Sequence, residues 1–219
     1  MSALITLNGE SAGYGGRPVL HDIDLTIAAG ERIAVMGRSG AGKSTLLNLL
    51  HERLADRTAL IPQAAALVKT LSVFHNVYMG RLDRHSTWRN LRNLVRPAAC
   101  DVGAVGQALA QVDLADKLFA PAGSLSGGQQ QRASVARALF NGRPVVIGDE
   151  PVSALDRVQA AHILQQICAG HDTAILALHD IPLALAHTDR IVVIDAGRIV
   201  LDAPSRELSG ADLIPYYGG

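Results

Sequence analysis

Cysteine is scarce. Cys100 and Cys168 are the only two in 219 residues, and they stand far apart, in no metal-ligand spacing. That pattern reads as two reduced thiols in a reducing compartment rather than a disulfide framework or a thiolate metal site. Neither sign of charge is in excess, with 20 Lys plus Arg against 20 Asp plus Glu. The basic surplus of a protein that coats nucleic acid is therefore missing, and no nucleic-acid partner is expected. There is no run of about 18 uncharged apolar residues, so no segment is expected to span a bilayer. At a membrane, such a chain would act by docking on another subunit. Met1 to Glu10 carry no basic residue and no long apolar stretch, which is not the pattern of a secretory signal. No repeat or low-complexity tract appears. What is present is an apolar content of 48%, which excludes a disordered chain, and enough length for one sizeable domain.

The N-terminal part alternates apolar and polar residues, in Leu4-Ile5-Thr6-Leu7 and again in Ile23-Asp24-Leu25-Thr26-Ile27. Alternation of this kind predicts antiparallel strands with one covered face. Later apolar runs are continuous: Ile33 to Met36, Val145 to Ile147, Ala174 to Leu178 and Ile191 to Ile194. Continuous runs predict strands buried on both faces. Helix-like stretches over Lys43 to Leu54, Gly128 to Phe140 and Asp156 to Cys168 separate most of them. Strand and helix in alternation predict an α/β fold around a mostly parallel sheet, with the N-terminal strands as an antiparallel layer. Asp195-Ala196-Gly197-Arg198 reads as a turn into a further strand, Ile199 to Leu201. From about residue 64 to 140 helical patterns dominate, among them Thr87 to Val95 and Val102 to Val112, and this part reads as a helical insert within one domain of residues 1–219.

Gly37-Arg38-Ser39-Gly40-Ala41-Gly42-Lys43-Ser44 fits G-x-x-x-x-G-K-[ST], preceded by a buried strand and followed by an amphipathic helix. Glycines there let the backbone curl so that several N–H groups face one anion, at the positive end of the helix that follows. Lys43 is placed to reach the β- and γ-phosphates of a nucleotide, and the Ser44 hydroxyl to ligate Mg²⁺. Downstream, Val145-Val146-Ile147-Gly148 runs into Asp149 and Glu150. Ligands of open parallel sheets sit beyond the carboxyl ends of the strands, so both acids should emerge near the glycine loop. Adjacent strand residues face opposite ways, which predicts separate jobs: Asp149 in the Mg²⁺ shell, Glu150 polarising the attacking water.

Further motifs narrow the field. Leu125-Ser126-Gly127-Gly128-Gln129, followed by Gln130-Gln131-Arg132, resembles the signature motif of the ABC ATPase family. His179 resembles the family's switch histidine, Gln63 its Q-loop glutamine and Ser153-Ala154-Leu155-Asp156 its D-loop, with Asp156 as the D-loop acid. Tyr14 lies upstream of the glycine loop, where the family often stacks an aromatic on adenine. The resemblance covers nearly the whole chain in the expected order. It implies an ATPase with the ABC ATPase fold that binds ATP along residues 37–45, Gly37 to Thr45, and uses Mg²⁺ held by Ser44, Gln63 and Asp149. It implies Glu150, His179 and Gln63 as catalytic residues. It also implies a head-to-tail homodimer in which Ser126, Gly127, Gly128 and Gln129 cap the γ-phosphate held by the partner. Permease subunits, and through them a solute-binding protein, complete the implied assembly, which places the chain on the cytoplasmic face of the cell membrane.

Asn76-Val77-Tyr78-Met79-Gly80-Arg81-Leu82, with Ser86-Thr87-Trp88-Arg89 after it, looks like the corresponding stretch of phosphonate-importer ATPases. That resemblance implies uptake of a phosphonate or related oxyanion. The alternatives are an exporter-type ATPase or a soluble, non-transport member. Soluble members tend to carry coiled-coil or zinc inserts, and this chain has no heptad tract and no Cys cluster. One departure is visible: the stretch from Lys43 to Gln63 is short for the family. Arg89, Arg92 and Arg96 fall on one helical face, which reads as a solvated surface or, more sharply, as a docking surface.

Overall fold

The computed structural model describes residues 2–15 and 17–217, apart from the side chain of Tyr14. The alternating N-terminal segments form β1 (Ala3–Tyr14) and β2 (Arg17–Ala28), an antiparallel pair. Ile23, Leu25 and Ile27 are buried while Asp24 and Thr26 are exposed. Leu20 is buried one residue out of phase, because the register slips on either side of Asp22, whose φ is 55°.

The continuous apolar runs become the central sheet. It contains β3 (Arg32–Met36), β4 (Thr58–Ile61), β5 (Val145–Asp149), β6 (Thr173–Ala177), β7 (Arg190–Asp195) and β8 (Arg198–Pro204). Their order is β4-β5-β6-β3-β7-β8, parallel throughout except that β8 runs antiparallel to β7. Successive residues of each strand feed different cores. Ile33, Val35, Ile147, Ile175 and Val192 pack under the β1–β2 layer, whereas Ala34, Met36, Val146, Leu176 and Val193 pack on the opposite side. Burial on both faces removes the need for polar alternation, which is why these strands read as unbroken apolar runs. The turn 195–198 docks the two layers: Gly197 (φ 76°) accepts from His21 N–H at 2.8 Å, and a Cβ there would meet Val19 O at 2.0 Å.

The helices are α1 (Lys43–Arg53), α2 (Val73–Tyr78), α3 (Thr87–Val95), α4 (Ala99–Ala110), α5 (Gly127–Asn141), α6 (Arg157–Gly170), α7 (Ile181–His187) and the short α8 (Gly210–Leu213). Ser72, Ser86, Ser126, Asp156 and Asp180 cap α2, α3, α5, α6 and α7 through side-chain oxygens, satisfying N–H groups that a helix start leaves open. Helices α2 to α5 all fall between β4 and β5. The short Lys43–Gln63 stretch holds α1, one turn of 3-10 helix and the edge strand β4.

Two expectations for this helical stretch need correction. Helix α4 begins at Ala99, not Val102; its N-cap Ala98 offers no capping side chain, so the start is marked only by Asp101 in the first turn. Arg89 does not belong to a purely solvated face. Its guanidinium pairs with Asp101, with Nη2 to Oδ1 at 2.5 Å, and Asn93 also donates to Asp101, at 2.6 Å. Burial pushes the Asp101 carboxyl up, but the bonds from Arg89 and Asn93 outweigh it and hold it below the usual carboxylate range. Arg92 and Arg96 are exposed, together with Trp88, Leu91, Leu94 and Val95.

Asp101→Ala leaves the Asn93 amide, which is 1% exposed, without its acceptor. The expected cost is a fall of roughly 4–8 °C in Tm, with α3 loosened from α4. Differential scanning calorimetry reads it, and an unchanged Tm means the pair contributes nothing to the fold.

Candidate functional site

The glycine loop leaves β3 at Gly37, whose φ of 134° only glycine tolerates well and where a Cβ would stand 2.1 Å from Ile194 O. Gly42 (φ 112°) is the N-cap of α1 and brings no capping side chain to its first turn, where the N–H groups have no intrahelical partner. Arg38, Ser39, Gly40 and Ser44 are exposed; Ala41 and Thr45 are buried. Lys43 lies back across the loop, its Nζ donating to Gly37 O at 2.8 Å and Arg38 O at 3.0 Å. Burial pushes its ammonium pKa down, while the charges of Glu150 and Asp149 oppose the shift without cancelling it. The loop and the acidic strand end therefore share one electrostatic site, as their positions beyond the strand ends require.

Asp149 ends β5, and its Oδ1 is buried without a hydrogen-bond partner among the described residues. A buried carboxylate oxygen left unpaired is costly, and a cation is the natural compensation. Ser44, Asp149 and Gln63 offer hydroxyl, carboxylate and amide oxygens, a donor set that fits Mg²⁺. Gln63 is exposed two residues beyond β4, whose Ile61 pairs with Gly148, so it lies at the same end of the sheet.

Glu150 differs from expectation in how it is aimed. It is not simply the next residue of a pleat but adopts φ 52°, the left-handed region. Its N–H donates to Ala177 O at 3.2 Å, and its carbonyl accepts from Gln131 Nε2 at 2.7 Å. So anchored, its carboxylate hydrogen-bonds His179 Nε2. His179 follows β6 by two residues and Asp180 caps α7, where it also pairs with Arg157 at 3.1 Å. Lys43, Asp149, Glu150 and His179 are thus gathered at one end of the sheet.

The signature residues take a different position. Ser126 caps α5, accepting from Gln129 N–H at 3.3 Å while its own N–H donates to Gln129 Oε1 at 3.0 Å. Ser126 and Gly127 are exposed at the start of this helix. Gly128 abuts the 153–156 loop, where a Cβ would stand 3.1 Å from Ala154 O. Asp156 spends one carboxylate oxygen capping α6, accepting from Val158 and Gln159 N–H at 3.0 Å each. The side chain of Tyr14 lies outside the described residues.

Two residues of the site were not anticipated. Gln131 is buried and bonds Glu150 O, Ser153 Oγ and Ala154 N–H, joining α5 to the acidic strand end. It shares a helical stripe with the buried Ser134, Val135 and Ala138, a pattern visible in the sequence. Tyr217 bonds Gly37 from the far end of the chain, and no local pattern announces it.

Known proteins bear on this arrangement. The ABC transporter family profile matches residues 20–153. The phosphonates import ATP-binding protein PhnC of Pseudomonas fluorescens Pf0-1 is 40% identical, over 89% of this chain and 83% of its own length. The PhnC protein of Pseudomonas putida KT2440 is 38% identical, over 95% of this chain and 87% of its own. In fold, the ADP conformation of an ATP-binding cassette of an ABC transporter superposes over 100% of both chains with a TM-score of 0.80, at 19% identity. Family profile, relatives and the gathered Lys43, Asp149, Glu150 and His179 agree: this chain belongs to the ABC transporter family and is an ATPase of that family.

Proposed function

We propose that this ATPase works as a head-to-tail pair on the cytoplasmic face of a membrane permease and drives the import of a phosphonate or related oxyanion. The observation that carries the hydrolytic part is the Glu150 carboxylate, held on His179 beside Lys43 and the unpaired Asp149 oxygen. ATP would lie along residues 37–45, with its phosphates on the loop N–H groups and Lys43. Mg²⁺ held by Ser44, Asp149 and Gln63 would neutralise charge on the β- and γ-phosphates. Glu150 accepts the proton of the attacking water as its oxygen bonds the γ-phosphorus and the bond to the β-phosphate oxygen breaks, giving ADP and phosphate. His179 keeps the Glu150 carboxylate aimed. The exposed start of α5, with Ser126 to Gln129, suits a γ-phosphate held by the partner subunit, and the partner's copy would complete this one. Loss of the bridging phosphate then releases the pair, which turns hydrolysis into movement.

The solute is proposed from the two relatives named for phosphonate import and from the Asn76–Leu82 and Ser86–Arg89 stretches. Attachment to the membrane would run through the permease, since among the described residues no helix is long and apolar enough to cross a bilayer. The test is uptake of radiolabelled methylphosphonate and growth on it as sole phosphorus source. Deleting the gene should abolish both and leave growth on inorganic phosphate intact. Normal uptake in the deletion strain would overturn the solute assignment.

A further inference from the structure

Strands β3 and β6 run parallel with Val35 opposite Ala177, and the last direct bond between them is Leu178 N–H to Val35 O, at 3.2 Å. In a regular parallel ladder the next rung runs from Gly37 N–H to Leu178 C=O. A side chain stands in that rung instead. The Tyr217 hydroxyl accepts from Gly37 N–H at 3.0 Å and donates to Leu178 O at 3.2 Å. Beyond this point the strands part, one into the phosphate loop and the other into His179. The Tyr217 ring meets His179 edge-on, with centroids 6.3 Å apart and planes at 80°.

The position of Tyr217 is itself fixed. Leu213 of α8 is fully buried, and Tyr216 and Tyr217 pack on the same apolar cluster. Burial pushes the Tyr217 phenol pKa up, helped by the Glu150 charge and opposed by the Gly37 amide, so the hydroxyl keeps the proton it gives to Leu178. A water molecule could make the same two bonds, but it could not brace the imidazole.

We infer that Tyr217 is a positioning residue for hydrolysis: its hydroxyl sets the spacing between the start of the phosphate loop and the His179 strand end, and its ring holds His179 on Glu150. The inference rests on the proposed roles of Glu150 and His179. Tyr217→Phe separates the two contributions, because it keeps the ring and the packing and removes only the hydroxyl. In the nucleotide-free protein, hydrogen exchange at the Gly37 amide should quicken about 10-fold, with β6 amides unchanged. Steady-state hydrolysis by the purified chain should fall about 3- to 10-fold in kcat, with KM for ATP and Tm close to the wild type. Tyr217→Leu, lacking the ring as well, should lose more kcat than the Phe variant.

A Phe variant with wild-type kcat and wild-type Gly37 exchange overturns the assignment. So does one that loses Tm while its turnover per folded molecule is unchanged, since Tyr217 would then only anchor the tail. Glu150→Gln, measured in parallel, keeps the two failures apart. Should that variant turn over normally, the hydrolytic pair is misassigned, whereas a dead Glu150→Gln beside an unaffected Tyr217→Phe defeats this inference alone.

Discussion

Glu150→Gln should lower ATP turnover by roughly 10²–10⁴-fold while leaving nucleotide affinity within about threefold of the wild type. The change is nearly isosteric. Glutamine can keep the packing at φ 52° and the backbone bonds to Ala177 and Gln131, because those use main-chain atoms. It can also still meet His179 Nε2, the present partner of the carboxylate. What disappears is the ability to take a proton from water, so the loss should appear in kcat and spare binding. With hydrolysis blocked, ATP should hold two copies together, and light scattering should show a dimer that persists in ATP and is absent in ADP. A variant that hydrolyses at near-normal rate removes Glu150 from the chemistry. One that loses affinity and kcat together makes it a binding group instead.

Much of this arrangement can be read from the chain before folding, for identifiable reasons. The glycine loop is legible because φ values of 134° at Gly37 and 112° at Gly42 leave few alternatives to glycine. The central strands are legible because burial on both faces strips them of polar residues, as at Val145 to Gly148. The long hairpin β1–β2 shows itself by alternation, and its slip at Asp22 hides only the phase. Other features depend on contacts made after folding. Glu150 leaves its strand in a left-handed conformation that nothing in its side chain demands, and its N–H bond to Ala177 O and the bond its carbonyl accepts from Gln131 Nε2 fix it. The Arg89–Asp101 pair joins α3 to α4, a contact that no pattern within either helix announces, so by spacing alone Arg89 reads as a surface charge. Tyr217 is the extreme case, 180 residues from Gly37 along the sequence. Its role depends on where two strands part, a property of the sheet and not of the C-terminal segment.

Ser126→Arg should abolish the ATP-dependent dimer of the Glu150→Gln protein while leaving ATP affinity of the single subunit near its wild-type value. Two effects must be kept apart. Ser126 is the N-cap of α5 and accepts from Gln129 N–H at 3.3 Å, so any replacement that lacks an acceptor costs about 1 kcal/mol of helix stability. Ser126→Ala measures that cost alone, and it should lower Tm slightly while still permitting dimers. Arginine adds bulk at an exposed helix start. If that start must close on a γ-phosphate held by the partner, the added side chain fills the space the phosphate needs, and pairing fails although the subunit's own loop is untouched. Lys43, which bonds Gly37 and Arg38, lies on that loop, so single-subunit affinity is an internal control. Gel filtration in ATP then decides: dimers with Ala and monomers with Arg support capping across the pair. Dimers in both variants show that the start of α5 does not face the partner's nucleotide, and monomers in both point to loss of the cap rather than to steric exclusion.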